Sequence, residues 1–215
     1  MKQIIRSNVF TLDQNEFISQ LRNLSFCPNI HIDFMDGKFT ENRTPRLYEM
    51  DAIKNYPKIN FELHFMGFYP EIYADEIKEL GIKKVLIHTE VFEFDKEIKK
   101  SIETLKENNI EVGLVLNPNT PTSKIKPFIN DIYCVMLMSV FPGRQGQEFN
   151  QNTFEKIKEL KELYPNLEIQ IDGGIKLENI EEILKTEISS ANIGSGISGK
   201  ENPENEYKKF VKMTN

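Results

Sequence analysis

The chemistry this chain can offer is concentrated in three histidines and a few aspartates. His31, His64 and His88 are its only imidazoles, and each falls at the end of a short apolar run. The runs read His31-Ile32-Asp33-Phe34-Met35-Asp36-Gly37, Glu62-Leu63-His64-Phe65-Met66 and Ile87-His88-Thr89-Glu90. A further run closes with Gln170-Ile171-Asp172-Gly173-Gly174. Residues two apart in a strand share a face, so His31 and Asp33 point the same way. Two imidazoles, His31 and His64, joined by the carboxylates of Asp33 and Asp172 make a mixed nitrogen and oxygen donor set. That set suits zinc, iron(II), manganese or cobalt better than magnesium or calcium. One divalent ion per chain is expected, with Zn²⁺ the first choice.

A second chemistry is written in glycine. Backbone N–H groups of glycine-rich turns at helix starts cradle dianions. Three such turns follow apolar runs late in the chain: Pro142-Gly143-Arg144-Gln145-Gly146, Asp172-Gly173-Gly174 and Gly194-Ser195-Gly196. Together they predict a phosphate pocket beside the metal site.

These residues need a scaffold that brings distant segments to one place. The sequence predicts strands near Gln3–Arg6, Asn29–Asp33, Asn60–His64, Lys84–His88, Glu111–Leu116, Ile132–Met138, Glu168–Ile171 and Ser190–Ile193. Apolar residues at helical spacing predict helices at Tyr69–Leu80, Glu93–Asn108, Thr153–Tyr164 and Leu177–Lys185, with Asn205–Met213 as the last. Eight alternations in 215 residues predict parallel strands closed into a single-domain (β/α)₈ TIM barrel over residues 1–215. An open doubly wound sheet would carry a glycine fingerprint after its first strand, and Ser7-Asn8-Val9-Phe10 has none. In a barrel, functional residues gather at the carboxyl ends of the strands, which is where the histidines and aspartates fall.

Composition narrows the partners. A net charge of −6 with no basic stripe argues against nucleic acid. No run approaches the length of a membrane span, and residues 1–10 lack the apolar core of a signal peptide, so a cytoplasmic enzyme is expected. Cys27 and Cys134 are far apart and offer neither a disulfide framework nor a zinc knuckle.

Residues 31–39 resemble the H-x-D-x-M-D-G-x-F signature of ribulose-phosphate 3-epimerases. Leu63–Met66 is similar to that family's H-L-M segment and His88-Thr89-Glu90 to its H-x-E. Asn117–Thr120, Met138–Gln147, Asp172–Ile175 and Gly194-Ser195 follow in the family's order. The resemblance implies a barrel of the ribulose-phosphate binding type. It implies His31, Asp33, His64 and Asp172 as metal ligands, with Asp33 and Asp172 also the acid/base pair. It implies substrate contacts from Ser7, His64, Gly143, Arg144, Gln145, Gly146, Gly173, Gly174, Gly194 and Ser195, and a pocket lining of Met35, Met66 and Met138. The expected reaction is epimerisation at C3 of a ketose phosphate, D-ribulose 5-phosphate to D-xylulose 5-phosphate, in the pentose phosphate pathway. Inverting that carbon needs a proton taken from one face and returned on the other, which two carboxylates can do through an enediolate. Barrels of this family associate, so a homo-oligomer is expected.

The chain departs from the family at Phe141, where a polar residue is usual, and at Gly143-Arg144-Gln145-Gly146, where the family reads G-F-G-G. After Phe39, only Asn42 survives of the usual V-P-N. These changes touch the substrate and not the carboxylates. They leave D-allulose 6-phosphate 3-epimerase as the alternative, with a non-catalytic sugar-phosphate-binding barrel behind it.

Overall fold

The computed structural model describes residues 3–214. Eight strands form one closed parallel barrel in chain order: β1 (Ile4–Val9), β2 (Asn29–Met35), β3 (Asn60–Met66), β4 (Lys84–His88), β5 (Glu111–Leu116), β6 (Cys134–Met138), β7 (Glu168–Asp172) and β8 (Ser190–Ile193). Six α-helices wrap it: α1 (Gln14–Asn23), α2 (Ala74–Glu79), α3 (Asp95–Glu107), α4 (Asn152–Leu163), α5 (Ile180–Leu184) and α6 (Pro203–Met213). The strands are buried on both faces, as parallel strands under helices must be.

Not every unit carries an α-helix. After β2 and β5 the return is made by 3₁₀ turns at Leu47–Asn55 and Thr122–Phe128. Pro127 sits inside the second, where it removes a backbone donor. The helix predicted over Tyr69–Leu80 is split for a related reason. Tyr69 takes a left-handed conformation (φ 55°), Pro70 opens a 3₁₀ turn, and α2 begins only at Ala74. The prediction over Leu177–Lys185 shrinks to the five residues of α5.

Alternation along the strands sorts two cores. Outward residues such as Ile32, Leu63, Phe65, Ile87, Leu137 and Ile171 pack under the helices against Phe17, Leu21, Ile102, Leu160 and Phe210. The inside of the barrel has two characters. Its β4–β6 wall is apolar, built from Leu86, Val115, Cys134, Met136 and Met138. Gly113 lies on that wall because a Cβ there would stand 2.5 Å from Leu86 Cδ2 and 2.7 Å from Cys134 Sγ. The opposite wall is polar: Arg6, Asn8, His31, Asp33, Glu62, His64, Gln170, Asp172 and Asn192 are all buried.

Register then assembles the site. Asn8 lies beside His31, Asp33 beside His64, and Asp172 beside both Met138 and Asn192. Strand β1 runs three residues past its predicted end, to Val9, and so carries Asn8 up to the mouth. No helix among the described residues is long and apolar enough to cross a membrane.

Candidate active site

His31, Asp33, His64 and Asp172 converge in the structure, with one donor atom from each lying within 4.8 Å of the other three. His64 Nδ1 is 2.9 Å from Asp33 Oδ1 and 3.7 Å from Asp172 Oδ2. His31 Nε2 is 3.5 Å from Asp33 Oδ1 and 3.8 Å from Asp172 Oδ2. All four residues are buried.

The second atoms of these ligands are held from behind. His31 Nδ1 lies 3.1 Å from Glu62 Oε1, so the proton on that nitrogen is donated to the carboxylate. Glu62 is fixed by Tyr133 Oη and Gln170 Nε2, which donate to Oε2 at 2.7 and 2.8 Å, and by Arg6 Nε at 3.6 Å from Oε1. Asn8 Nδ2 donates to Asp172 Oδ1 at 3.1 Å. His64 Nε2 meets His88 Nε2 at 2.8 Å, and His88 Nδ1 meets Glu90 Oε2 at 3.2 Å.

Two observations say that the cluster fits a divalent cation. His31 Nε2 is fully buried and has no hydrogen-bond partner, an arrangement buried polar groups avoid unless a ligand completes them. The electrostatics point the same way. Burial opposes a charged His31, yet the Asp33 and Glu62 carboxylates beside it and the Asp172 charge outweigh burial and hold it up at about 10. Burial likewise works to protonate Asp33, but the flanking imidazoles win and keep it ionised, well below the usual carboxylate range. Asp172, desolvated and facing the Asp33 charge, is raised instead. The pocket therefore gathers positive charge around two nearby carboxylates, and these titrate together.

Above the cluster opens a cavity of about 50 Å³. Its floor is Asp33, His64 and Asp172 with Asn8, its apolar side Met66 and Met138, and its far end the turns Gly143–Gly146, Gly173-Gly174 and Gly194-Ser195. Arg144, Gln145 and Phe141 also line it, with Phe141 half exposed at the rim. Gln145 crosses to the β8 turn, its Nε2 standing 2.6 Å from where a Gly194 Cβ would lie.

Other residues hold the turns in place. Asn42 Nδ2 donates to the Gly143 carbonyl at 2.8 Å, and Ser139 Oγ donates to the Gly173 carbonyl. The Arg144–Glu41 ion pair, 2.8 Å long, is largely out in solvent and adds little. At Gly174 the backbone has φ 62°, and a Cβ would lie 2.5 Å from the Phe149 nitrogen. Gly174→Ala is therefore expected to raise KM with kcat nearly unchanged, since strain of about 1–3 kcal/mol falls on a turn at the far end of the cavity and not on the carboxylates. Steady-state kinetics check it, and an unmoved KM would separate this turn from binding.

Two predicted residues lie elsewhere. Ser7 is fully buried, with its hydroxyl unpartnered, and does not line the cavity. It has the opposite phase to Asn8, so Asn8 is the strand-one residue at the site. Met35 is buried beside Thr44 below the rim and does not line the cavity either. Sequence reading missed Asn8, Glu62 and the His88–Glu90 pair as site residues. The signal for Glu62 was available: a carboxylate inside a buried run, two residues before a histidine on the same face.

Paired buried carboxylates in a barrel mouth do proton chemistry, and the class so defined is a (β/α)₈ enzyme of the acid/base kind. Comparison with known proteins carries this to a family. The pattern of the ribulose-phosphate 3 epimerase family matches residues 4–198, and the chain belongs to that family and is an epimerase. A ribulose-phosphate 3-epimerase of Aquifex aeolicus (strain VF5) is 32% identical over 188 residues, 86% of this chain and 83% of that protein. One from Mycoplasma genitalium is 36% identical over 168 residues, 78% of each. Among solved structures, KGPDC from Streptococcus mutans has a TM-score of 0.79 at 11% identity, covering 100% of this chain and 98% of that one. The 3-hexulose-6-phosphate synthase of Salmonella typhimurium has 0.75 at 13%, with the same coverage. At such identities the likeness speaks for the fold alone.

Proposed function

We propose that the chain interconverts D-ribulose 5-phosphate and D-xylulose 5-phosphate by moving a proton at C3 between Asp33 and Asp172. The observation that carries this reading is the pair of buried carboxylates, one from β2 and one from β7, meeting on the floor of a cavity whose far end is three glycine turns. The ionised Asp33 takes the C3 proton in one direction and the raised Asp172 returns one to the other face, with the roles exchanged in reverse. Asn8 holds Asp172 by Oδ1 and leaves Oδ2 facing His31 and His64 on the cavity floor. Backbone N–H groups of the Gly143–Gly146, Gly173-Gly174 and Gly194-Ser195 turns bind the phosphate. Met66 and Met138 keep water from the reacting carbons.

His31, Asp33, His64 and Asp172 would hold one divalent ion, zinc, iron(II), manganese or cobalt. When bound, that ion supplies Lewis acidity that makes the C3 proton more acidic. A five-carbon substrate is favoured over a hexulose because Gln145 fills space beside Gly194 at the phosphate end.

The test is a coupled assay of the purified protein on ribulose 5-phosphate and allulose 6-phosphate, each with and without chelator. Chelator-sensitive formation of xylulose 5-phosphate, faster than turnover of the hexulose, is expected. Preference for the hexulose would keep the mechanism and overturn the substrate. No turnover of either by metal-loaded protein would overturn the reading.

A further inference from the structure

One buried group has no part in the reaction above. His88, at the end of β4, is fully buried, and so is the nitrogen pair it makes with His64. The two rings are 5.0 Å apart between centroids and 27° from coplanar. A gap of 2.8 Å between their Nε2 atoms leaves just one ring radius on each side of it. The rings therefore meet edge to edge in nearly one plane, the geometry of an N–H···N hydrogen bond rather than of a face stack.

Such a bond has a direction: one nitrogen donates and the other accepts. Glu90 settles which. Its Oε1 accepts from the Asn117 backbone N–H at 2.8 Å and from Thr120 Oγ1, and its Oε2 faces His88 Nδ1 at 3.2 Å. The Asn117–Thr120 turn is itself held by Lys156 of α4, whose Nζ donates to the carbonyls of Asn117 and Thr120 at 2.8 and 2.6 Å. A carboxylate only accepts, so His88 must carry its proton on Nδ1 and present a bare Nε2 to His64.

We propose that His88 and Glu90 are positioning residues that fix the tautomer of His64, keeping Nε2 as a donor so that Nδ1 is the nitrogen offered to the metal. In the metal-free protein that nitrogen lies 2.9 Å from Asp33 Oδ1, which accepts its proton, and 3.7 Å from Asp172 Oδ2; a bound ion would take the place of that proton. Glu62 does the same for His31 in a single step, and here the carboxylate acts through an extra imidazole. The inference rests on the metal-centre reading above and extends it to residues that never touch the ion.

Glu90→Gln tests it with almost no change in shape. The Asn117 N–H still needs an acceptor, so the new amide must place its oxygen there and its NH₂ toward His88 Nδ1. The chain of donors then reverses: His88 donates from Nε2, and the proton of His64 is forced onto Nδ1. Zn²⁺ alone is the probe, with affinity measured by competition titration and protonation read from ¹⁵N spectra of histidine-labelled, Zn²⁺-loaded protein. Three histidines in the whole chain make the spectrum assignable. Expected are a wild-type His64 protonated at Nε2, and in Glu90→Gln an affinity lower by roughly 10–100-fold with that Nε2 proton lost. His88→Gln, which keeps an acceptor and a donor in line, should retain more affinity than His88→Leu. An isosteric Glu90→Gln protein with wild-type Zn²⁺ affinity and an unmoved His64 proton would overturn the proposal. Failure of the wild type itself to bind Zn²⁺ would overturn the metal centre, and this inference with it.

Discussion

Asp33→Asn and Asp172→Asn are each expected to lower turnover by roughly 10²–10⁴-fold or more, because each removes one of the two carboxylates proposed to carry a proton at C3. The amide keeps the shape of the carboxyl and can still accept from its neighbours, so the fold should survive and can be checked by circular dichroism. Loss of turnover alone does not separate proton transfer from metal binding, since both residues also belong to the ligand cluster. Solvent deuterium does. A variant with one carboxylate left can still abstract and return a proton on a single face, so it should exchange C3 hydrogen in one epimer while net epimerisation stops. Wild-type rates of exchange in both epimers would exclude the two-carboxylate scheme.

The electrostatics give the same experiment a second edge. Asp33 is held ionised by two imidazoles, while Asp172 is raised by burial and by the Asp33 charge. Asp33→Asn removes that charge and therefore one of the causes that raise Asp172. The surviving Asp172 then both lacks its partner and is shifted downward, which is why the two losses should not multiply in the double variant.

The site was legible in the sequence wherever two conditions held: a chemically rare residue type, and a strand whose end was marked. His31, Asp33, His64 and Asp172 met both, because histidine is scarce here and glycine or methionine closes each run. Ser7 rested on the family resemblance alone, with no marked strand end behind it. The first strand shows no glycine at its end, so its predicted stop at Arg6 left the phase of the next residues open. A slip of one residue in a strand exchanges the two faces. The structure extends β1 to Val9 and turns Asn8, not Ser7, toward Asp172. Helix predictions failed where backbone chemistry overrode periodicity. Pro70 and the left-handed Tyr69 cut the predicted Tyr69–Leu80 helix short, and the helix predicted over Leu177–Lys185 shrank to α5. The eight strands survived these failures, though β1, β2 and β3 run on past their predicted ends, because the closed barrel, and not any one helix, fixes where the strands lie.

Glu62→Leu is expected to destabilise the metal-free protein by about 3–5 kcal/mol, since it strands Arg6 as an uncompensated buried charge. Arg6 Nη1 is already without a partner, so Nε–Glu62 is the guanidinium's ion pair on this wall. The same change leaves the His31 Nδ1 proton and the Tyr133 hydroxyl with nothing to accept them. Glu62→Gln also removes the counter-charge of Arg6, but it keeps an acceptor oxygen for the network and should cost less than the Leu change, about 1–3 kcal/mol. Acid should expose the difference. Burial alone would raise the Glu62 carboxyl, but the His31 hydrogen bond and the Arg6 charge overcome it and hold the carboxyl down from 4.5 to about 2. A group depressed on folding contributes stability above its unfolded pKa, and that contribution fades as pH falls toward the folded value. The wild type should therefore lose stability between 4.5 and about 2 more steeply than either variant. Urea unfolding of metal-free protein at neutral pH and at about pH 3 measures both effects. A Leu variant as stable as wild type at neutral pH would mean that the polar wall is not held together by this carboxylate. His31 would then need another explanation for keeping Nε2 aimed at the site.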